Sequence, residues 1–140
     1  MARGYPDYGR VSARQRFSQD PGAHVEEQKI TVLAGVPEGT PTSQNFVLYK
    51  GEIGFIEVRF PSGPSGLLHI ALYDADGTTK LWPKAAGAWY AGDAEAVEIE
   101  TEFTINAVAS VYKLVLKGYN EDITYDHSAK VRAWVIPYPA

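Results

Sequence analysis

The segment VEIETEFTI (97–105) places Glu98, Glu100 and Glu102 on one side of a strict two-residue alternation. On a strand such carboxylates lie roughly 7 Å apart, since each residue adds ~3.4 Å. Glycoside hydrolysis uses two carboxyl groups at comparable separations, and hard cations take carboxylate oxygens. Hydrolysis also needs one carboxyl whose pKa is raised by an apolar setting, and none accompanies these three. The row therefore reads as the solvated face of a strand, matched by lysines such as Lys113 and Lys117 on a neighbour. The same charge could keep a strand edge from self-association. DADGTTK (74–80) begins like a calcium loop, but the twelfth position from Asp74 is Ala85, where that loop needs a glutamate. It reads as a turn, with the Asp and Gly that turns favour. His24, His69 and His127 fall in an arm, a strand and a loop, and nothing in the sequence gathers them. There is no nucleophile elbow and no phosphate-binding glycine loop. The expectation is a protein without catalytic residues, metal or cofactor.

KLWPKAAGAWYAGD (80–93) sets Trp82, Trp89 and Tyr90 among small residues. Exposed rings of this kind stack on sugars, so a carbohydrate-binding or adhesion module is the alternative reading. The preferred reading makes them cover for the end of a core, where aromatics bury large areas, or a protein contact.

These residues must be held by strands. KITVLAG (29–35) alternates Ile30, Val32 and Ala34 with Thr31 and Leu33. NFVLYKG (45–51) and EIGFIEVRF (52–60) follow, the latter setting Ile56, Val58 and Phe60 against Glu57 and Arg59. PSGPSG (61–66) is a loop, and LLHIALYDADG (67–77) is a two-sided apolar strand entering a turn. SVYKLVLKGY (110–119) opposes Tyr112, Leu114 and Leu116 to Lys113 and Lys117. KVRAWVI (130–136) opposes Val131, Ala133 and Val135 to Lys130, Arg132 and Trp134. GDAEAVEIE (92–100) starts like a capped helix, but its alternation and β-branched residues favour strand. Seven to nine short strands separated by turns predict an all-β fold, a single antiparallel β-sandwich of jelly-roll type.

The chain has 140 residues, 45% of them apolar, a one-domain length, and no cysteine, which excludes disulfides and thiolate metal sites. Its net charge of −4 is unevenly spread. Residues 1–20, MARGYPDYGRVSARQRFSQD, sum to +2, while the other 120 hold nine basic and fifteen acidic side chains, a sum of −6. An acidic body argues against nucleic acid as a partner. No apolar run reaches the length of a signal peptide or a membrane span. The chain thus reads as soluble and as starting at its own N-terminus, with no membrane partner. Residues 1–27 form an extended arm and 28–140 the sandwich. Tyr5, Tyr8, Arg10, Arg14, Arg16 and Phe17 give the arm the residue types of protein interfaces. Such a segment orders on a neighbour instead of on itself. The apolar, proline-rich VIPYPA (135–140) has a similar character.

The opening MARGYPDYG resembles the start of small structural proteins encoded in tailed-bacteriophage gene clusters. The β-sandwich body resembles the decoration or minor head proteins of their virions. The resemblance implies a non-enzymatic protein, a homo-oligomer with a trimer favoured, that binds the major capsid protein or other shell subunits. It would reinforce the assembled capsid and reside in the virion after synthesis in the host cytoplasm. Arms that cross onto a neighbour suit that task, because a lattice repeats one weak contact many times.

Overall fold

The computed structural model describes residues 23–49, 51–105 and 111–137. Among them run nine strands and no helix: β1 (His24–Val32), β2 (Thr42–Tyr49), β3 (Gly51–Phe60), β4 (Leu68–Tyr73), β5 (Lys80–Trp82), β6 (Tyr90–Ala91), β7 (Glu95–Ile105), β8 (Val111–Asn120) and β9 (His127–Pro137). They form two antiparallel sheets. The first has the order β1-β9-β3-β7; the second has β2-β8-β4-β5, with β6 also paired to β4. The chain changes sheet at nearly every connection, and only β4, β5 and β6 follow one another within a sheet. Every other ladder joins strands distant in sequence.

The alternation of the sequence sets the faces. Ile30 and Val32 of β1, Ile56, Val58 and Phe60 of β3, and Val131, Ala133 and Val135 of β9 point inward with at most 1% exposure. Phe46 and Leu48 of β2, Leu68, Ile70 and Leu72 of β4, and Leu114 and Leu116 of β8 meet them from the second sheet. Fully burying a side chain of this size contributes ~1.5–3 kcal/mol, so this interior is the main source of cohesion. The register is fixed, because a one-residue slip would turn each of these strands inside out.

Several boundaries differ from the sequence reading. β1 begins at His24, so residues 24–27, read as arm, are paired with Arg132–Val135. Periodicity hid this because the inward positions of that half-strand are His24, Glu26 and Gln28, all half-buried, with His24 Nε2 2.9 Å from Glu26 Oε2. β1 is an edge strand, and inward-pointing polar groups on an edge discourage addition of a further strand. The strand ends at Val32, before Ala34, and β9 starts at His127, three residues earlier than its alternation suggests. Gly118 faces the interior on β8, where a Cβ would lie 2.8 Å from Val32 Cγ2 and 2.9 Å from Ile70 Cδ1.

Candidate functional site

One end of the sandwich is built around a buried amide. Asn120, the last residue of β8, is 2% exposed. Its Nδ2 donates to the carbonyls of Tyr125 (2.9 Å), Val32 (3.3 Å) and Leu33 (3.4 Å), and its Oδ1 accepts from the Asp122 amide at 2.9 Å. The Asn120 and Gly35 amides donate to Val36 and Asp122 carbonyls, both at 2.9 Å. Asp122 accepts from the Thr124 and Tyr125 amides and stands 2.8 Å from His127 Nε2. Those backbone bonds, first that of Thr124, and then His127 hold its carboxyl below the usual range. The loops 33–41 and 121–126 are thereby locked together, and they carry Leu33, Ile123 and Tyr125 to the surface at 59%, 85% and 67% exposure. These exposed side chains form an apolar cap over this end of the sandwich.

An aromatic and acidic cluster adjoins it. His69 of β4 lies opposite Tyr119 of β8. Their rings stack at 4.3 Å, and the Trp89 ring meets Tyr119 edge-on at 4.8 Å. Each flanking ring is anchored to a carboxylate: Trp89 Nε1 donates to Glu38 at 2.9 Å, and His69 Nε2 lies 2.6 Å from Glu121 Oε1. Burial, then the charges of Glu38 and Glu121, push the Tyr119 phenol up. An open cavity of about 380 Å³ is lined by Val36, Pro37, Glu38, Tyr119, Glu121 and Ile123 among others.

The sequence-predicted residues fall as follows. Tyr5, Tyr8, Arg10, Arg14, Arg16 and Phe17 lie outside the described residues, as does the end of VIPYPA. Trp82, Trp89 and Tyr90 do not form one exposed platform. Trp82 is 8% exposed within the core, and Tyr90 packs against the core, its phenol pushed up by burial. Only Trp89 reaches the cluster above. The loop between them is stapled by Lys80, whose Nζ donates to the Ala85 and Ala88 carbonyls, both at 2.8 Å. Lys113 and Lys117 are not partners of the glutamate row: they belong to β8 in the second sheet, whereas among the described residues β7 is an edge of the first and pairs only with β3. Glu98 stands opposite Glu57, and both Glu98 and Glu100 are β7 residues facing solvent. Lys117 instead lies over the Tyr73 ring, 4.6 Å from its centre.

DADGTTK is a turn. Gly77, at φ 73°, donates to the Asp74 carbonyl, and Asp76 accepts from the Thr78 and Thr79 amides and the Thr79 hydroxyl. The backbone bonds from Thr79 and Thr78 hold the Asp76 carboxyl down at about 2. Asp74 bonds the Tyr112 hydroxyl, whose pKa is raised by burial first and by Asp74 second. Each histidine sits beside one carboxylate, and among the described residues no three potential ligands converge on a metal position.

Sequence reasoning missed the Asn120 frame, the stacked His69–Tyr119 pair and the apolar cap. The cap did leave a signal, since Ile123 and Tyr125 are conspicuous in the polar run NEDITYDHS (120–128).

No protein-family model matches the chain, and no curated protein sequence does. Among solved structures, the chain is similar to one in the capsid asymmetric unit of cyanophage Pam1, with a TM-score of 0.51 and 13% identity over 82% of this chain and 85% of that one. Fainter likenesses reach infectious bursal disease virus, Gt strain (TM-score 0.35, 10% identity, 83% and 32% covered), and the disulfide-linked pili of Bacillus endospore appendages (TM-score 0.30, 12% identity, 83% and 89% covered). The Pam1 likeness shows a shared sandwich fold.

Proposed function

We propose that this protein is a structural component of a virion, a decoration or minor head protein of a tailed phage that acts by binding and not by catalysis. The observation that carries the reading is the likeness in fold to a chain of a phage capsid, which spans more than four-fifths of both molecules. The two chains are thus modules of similar size. The strand orders β1-β9-β3-β7 and β2-β8-β4-β5 support a jelly-roll sandwich, in which successive strands alternate between sheets. The exposed cap of Leu33, Ile123 and Tyr125 supplies apolar surface for a shell contact. The basic arm, through Tyr5, Tyr8, Arg10, Arg14, Arg16 and Phe17, docks on a neighbouring subunit, and its +2 charge complements the acidic body of a second copy.

Co-sedimentation with particles of the parent virus lacking this protein tests the reading. The full chain should decorate them in fixed stoichiometry. Combined replacement of Arg10, Arg14 and Arg16 by Gln should reduce occupancy at least tenfold. Unchanged occupancy would refute the arm's role, and no binding of the unmodified chain would refute the virion assignment.

A second reading, glycan binding, is favoured by the open cavity beside Trp89 and Tyr119 with two carboxylates to accept hydroxyl groups. It requires Trp89→Ala to abolish binding on a glycan array, with Trp82 and Tyr90 acting only as support.

A further inference from the structure

The outer face of the first sheet carries a row of cations for which the fold gives no use. Lys29 on β1, Lys130 on β9 and Arg59 on β3 stand directly opposite one another, in the registers Lys29↔Lys130 and Arg59↔Lys130. Directly opposed residues have Cβ atoms ~4.5–5.5 Å apart, and like charges at that spacing destabilise a sheet. Lysines on outermost strands protect an exposed edge, which accounts for Lys29. It does not account for Lys130 or Arg59, whose strands lie inside the sheet. Nor is the row a by-product of composition, because the chain outside residues 1–20 sums to −6.

The three side chains line a cavity of about 290 Å³ together with Pro61, Ser128 and Ala129. Arg59 shares its guanidinium with Glu57, at 3.2 and 3.3 Å. Among the described residues, neither Lys29 nor Lys130 has a carboxylate at ion-pair distance. The next row on the same face, ~7 Å away along the strands, reads Glu27, Arg132, Glu57, Glu98.

We propose that this cavity binds a compact oxyanion of the phosphate class, with Lys130 at its centre, Lys29 and Arg59 on either side and Ser128 at its margin. Two lysines without an ion-pair partner at contact distance among the described residues, and an arginine shared with Glu57, leave an excess of up to about two positive charges, moderated by Glu27 in the next row; this suits the −1.5 to −2 that a phosphate monoester carries at neutral pH. The acidic row beside the cavity decides against a polyanion. A nucleic-acid strand or an acidic peptide continuing in that direction would meet Glu27, Glu57 and Glu98, whereas a single small anion would not.

The test titrates the full isotope-labelled chain with inorganic phosphate and with glycerol 3-phosphate, each against sodium chloride at matched ionic strength. Saturable amide shifts should centre on residues 29, 59 and 128–130, with a rise in Tm. Comparable binding by both ligands identifies free phosphate as sufficient, and tighter binding by the ester identifies an esterified group; either supports the site. Lys130→Gln should weaken binding at least tenfold yet leave the unliganded Tm unchanged or higher, because a repulsion is removed. Lys29→Gln provides an independent second variant with the same expected loss. Lys113→Gln, the same charge change on the second sheet, should stay within twofold of the unmodified protein. The proposal is overturned if phosphate does no more than chloride, or if Lys113→Gln and Lys130→Gln weaken binding equally. It is also overturned if a single-stranded oligonucleotide or polyglutamate binds these residues more tightly than glycerol 3-phosphate.

Discussion

Replacing Asn120 by Asp changes one atom's chemistry and almost no volume. The Asn120 amide nitrogen faces three carbonyl oxygens, those of Tyr125, Val32 and Leu33. A carboxylate there would put an acceptor against acceptors. Only the bond to Tyr125, at 2.9 Å, is short, so the donor loss amounts to one full bond and one shared, stretched bond. A net hydrogen bond contributes ~0.5–1.5 kcal/mol, and each buried group left unsatisfied costs ~1–3 kcal/mol. With the charge buried at a position 2% exposed, the deficit at pH 7 should be about 3–5 kcal/mol. For a domain of this size that corresponds to a fall in Tm of about 10–15 °C. The deficit should also depend on pH. A carboxyl among carbonyls has a folded-state pKa above its unfolded value of about 3.9. The variant therefore recovers stability below that unfolded value, where the protonated group can donate to Tyr125, and loses it as pH rises through the folded value. Urea unfolding of both proteins at pH 7 and pH 3.5, compared as a difference, is the assay. A deficit below about 1 kcal/mol at pH 7, or the same deficit at both pH values, would refute the assignment of Asn120 as the donor that closes this end of the sandwich.

Gly118→Ala should destabilise by about 1–3 kcal/mol through overpacking, since its Cβ would press on Val32 and Ile70 within 3 Å and on the His69 carbonyl at 3.2 Å; unchanged urea stability would show that the interior there can give. Trp82→Ala should cost about 3–5 kcal/mol as a core deletion, and Trp89→Ala less than half as much, because Trp89 lies outside the core cluster; equal losses would contradict the division. The Asp76 carboxyl should titrate at about 2 in a carbon-detected NMR titration. Its depressed value means that the turn is supported above the ordinary 3.8 and loosens as pH falls through about 2, so a midpoint near 3.8 would rule out the Thr78 and Thr79 bonds in solution.

The faces of the strands were legible because alternation is a local property. Ile56, Val58, Phe60, Leu114, Leu116, Val131, Ala133 and Val135 are buried where period two places them. Phe55 is an exception: it points away from that interior yet is 2% exposed, with Trp134 stacked on it at 4.2 Å. Its burial depends on a ring about eighty positions away, which no local pattern encodes. Partner choice between strands was not legible for the same reason. Lys113 and Lys117 matched the glutamate row in charge, but the topology sends β7 and β8 to different sheets. The candidate sites assemble across comparable distances. His69 meets Tyr119 and Glu121, Trp89 meets Glu38, and Lys29, Arg59 and Lys130 align only when β1, β3 and β9 lie side by side. In the sequence each was an unremarkable strand or loop residue.

The position of β9 has a consequence for synthesis. This strand lies between β1 and β3, bonded to both. Until residues 127–137 have left the ribosome, β1 has no ladder partner among the described strands of its sheet and β3 has only β7. The nascent chain must therefore wait with two unsatisfied backbone edges and half an apolar interior. Once β9 has emerged, its two edges can complete the first sheet by pairing with β1 and β3. Pairings of such long range form slowly, so the interval before β9 docks is when newly made copies are most open to pairing with one another, and when a chaperone would have its greatest effect on yield.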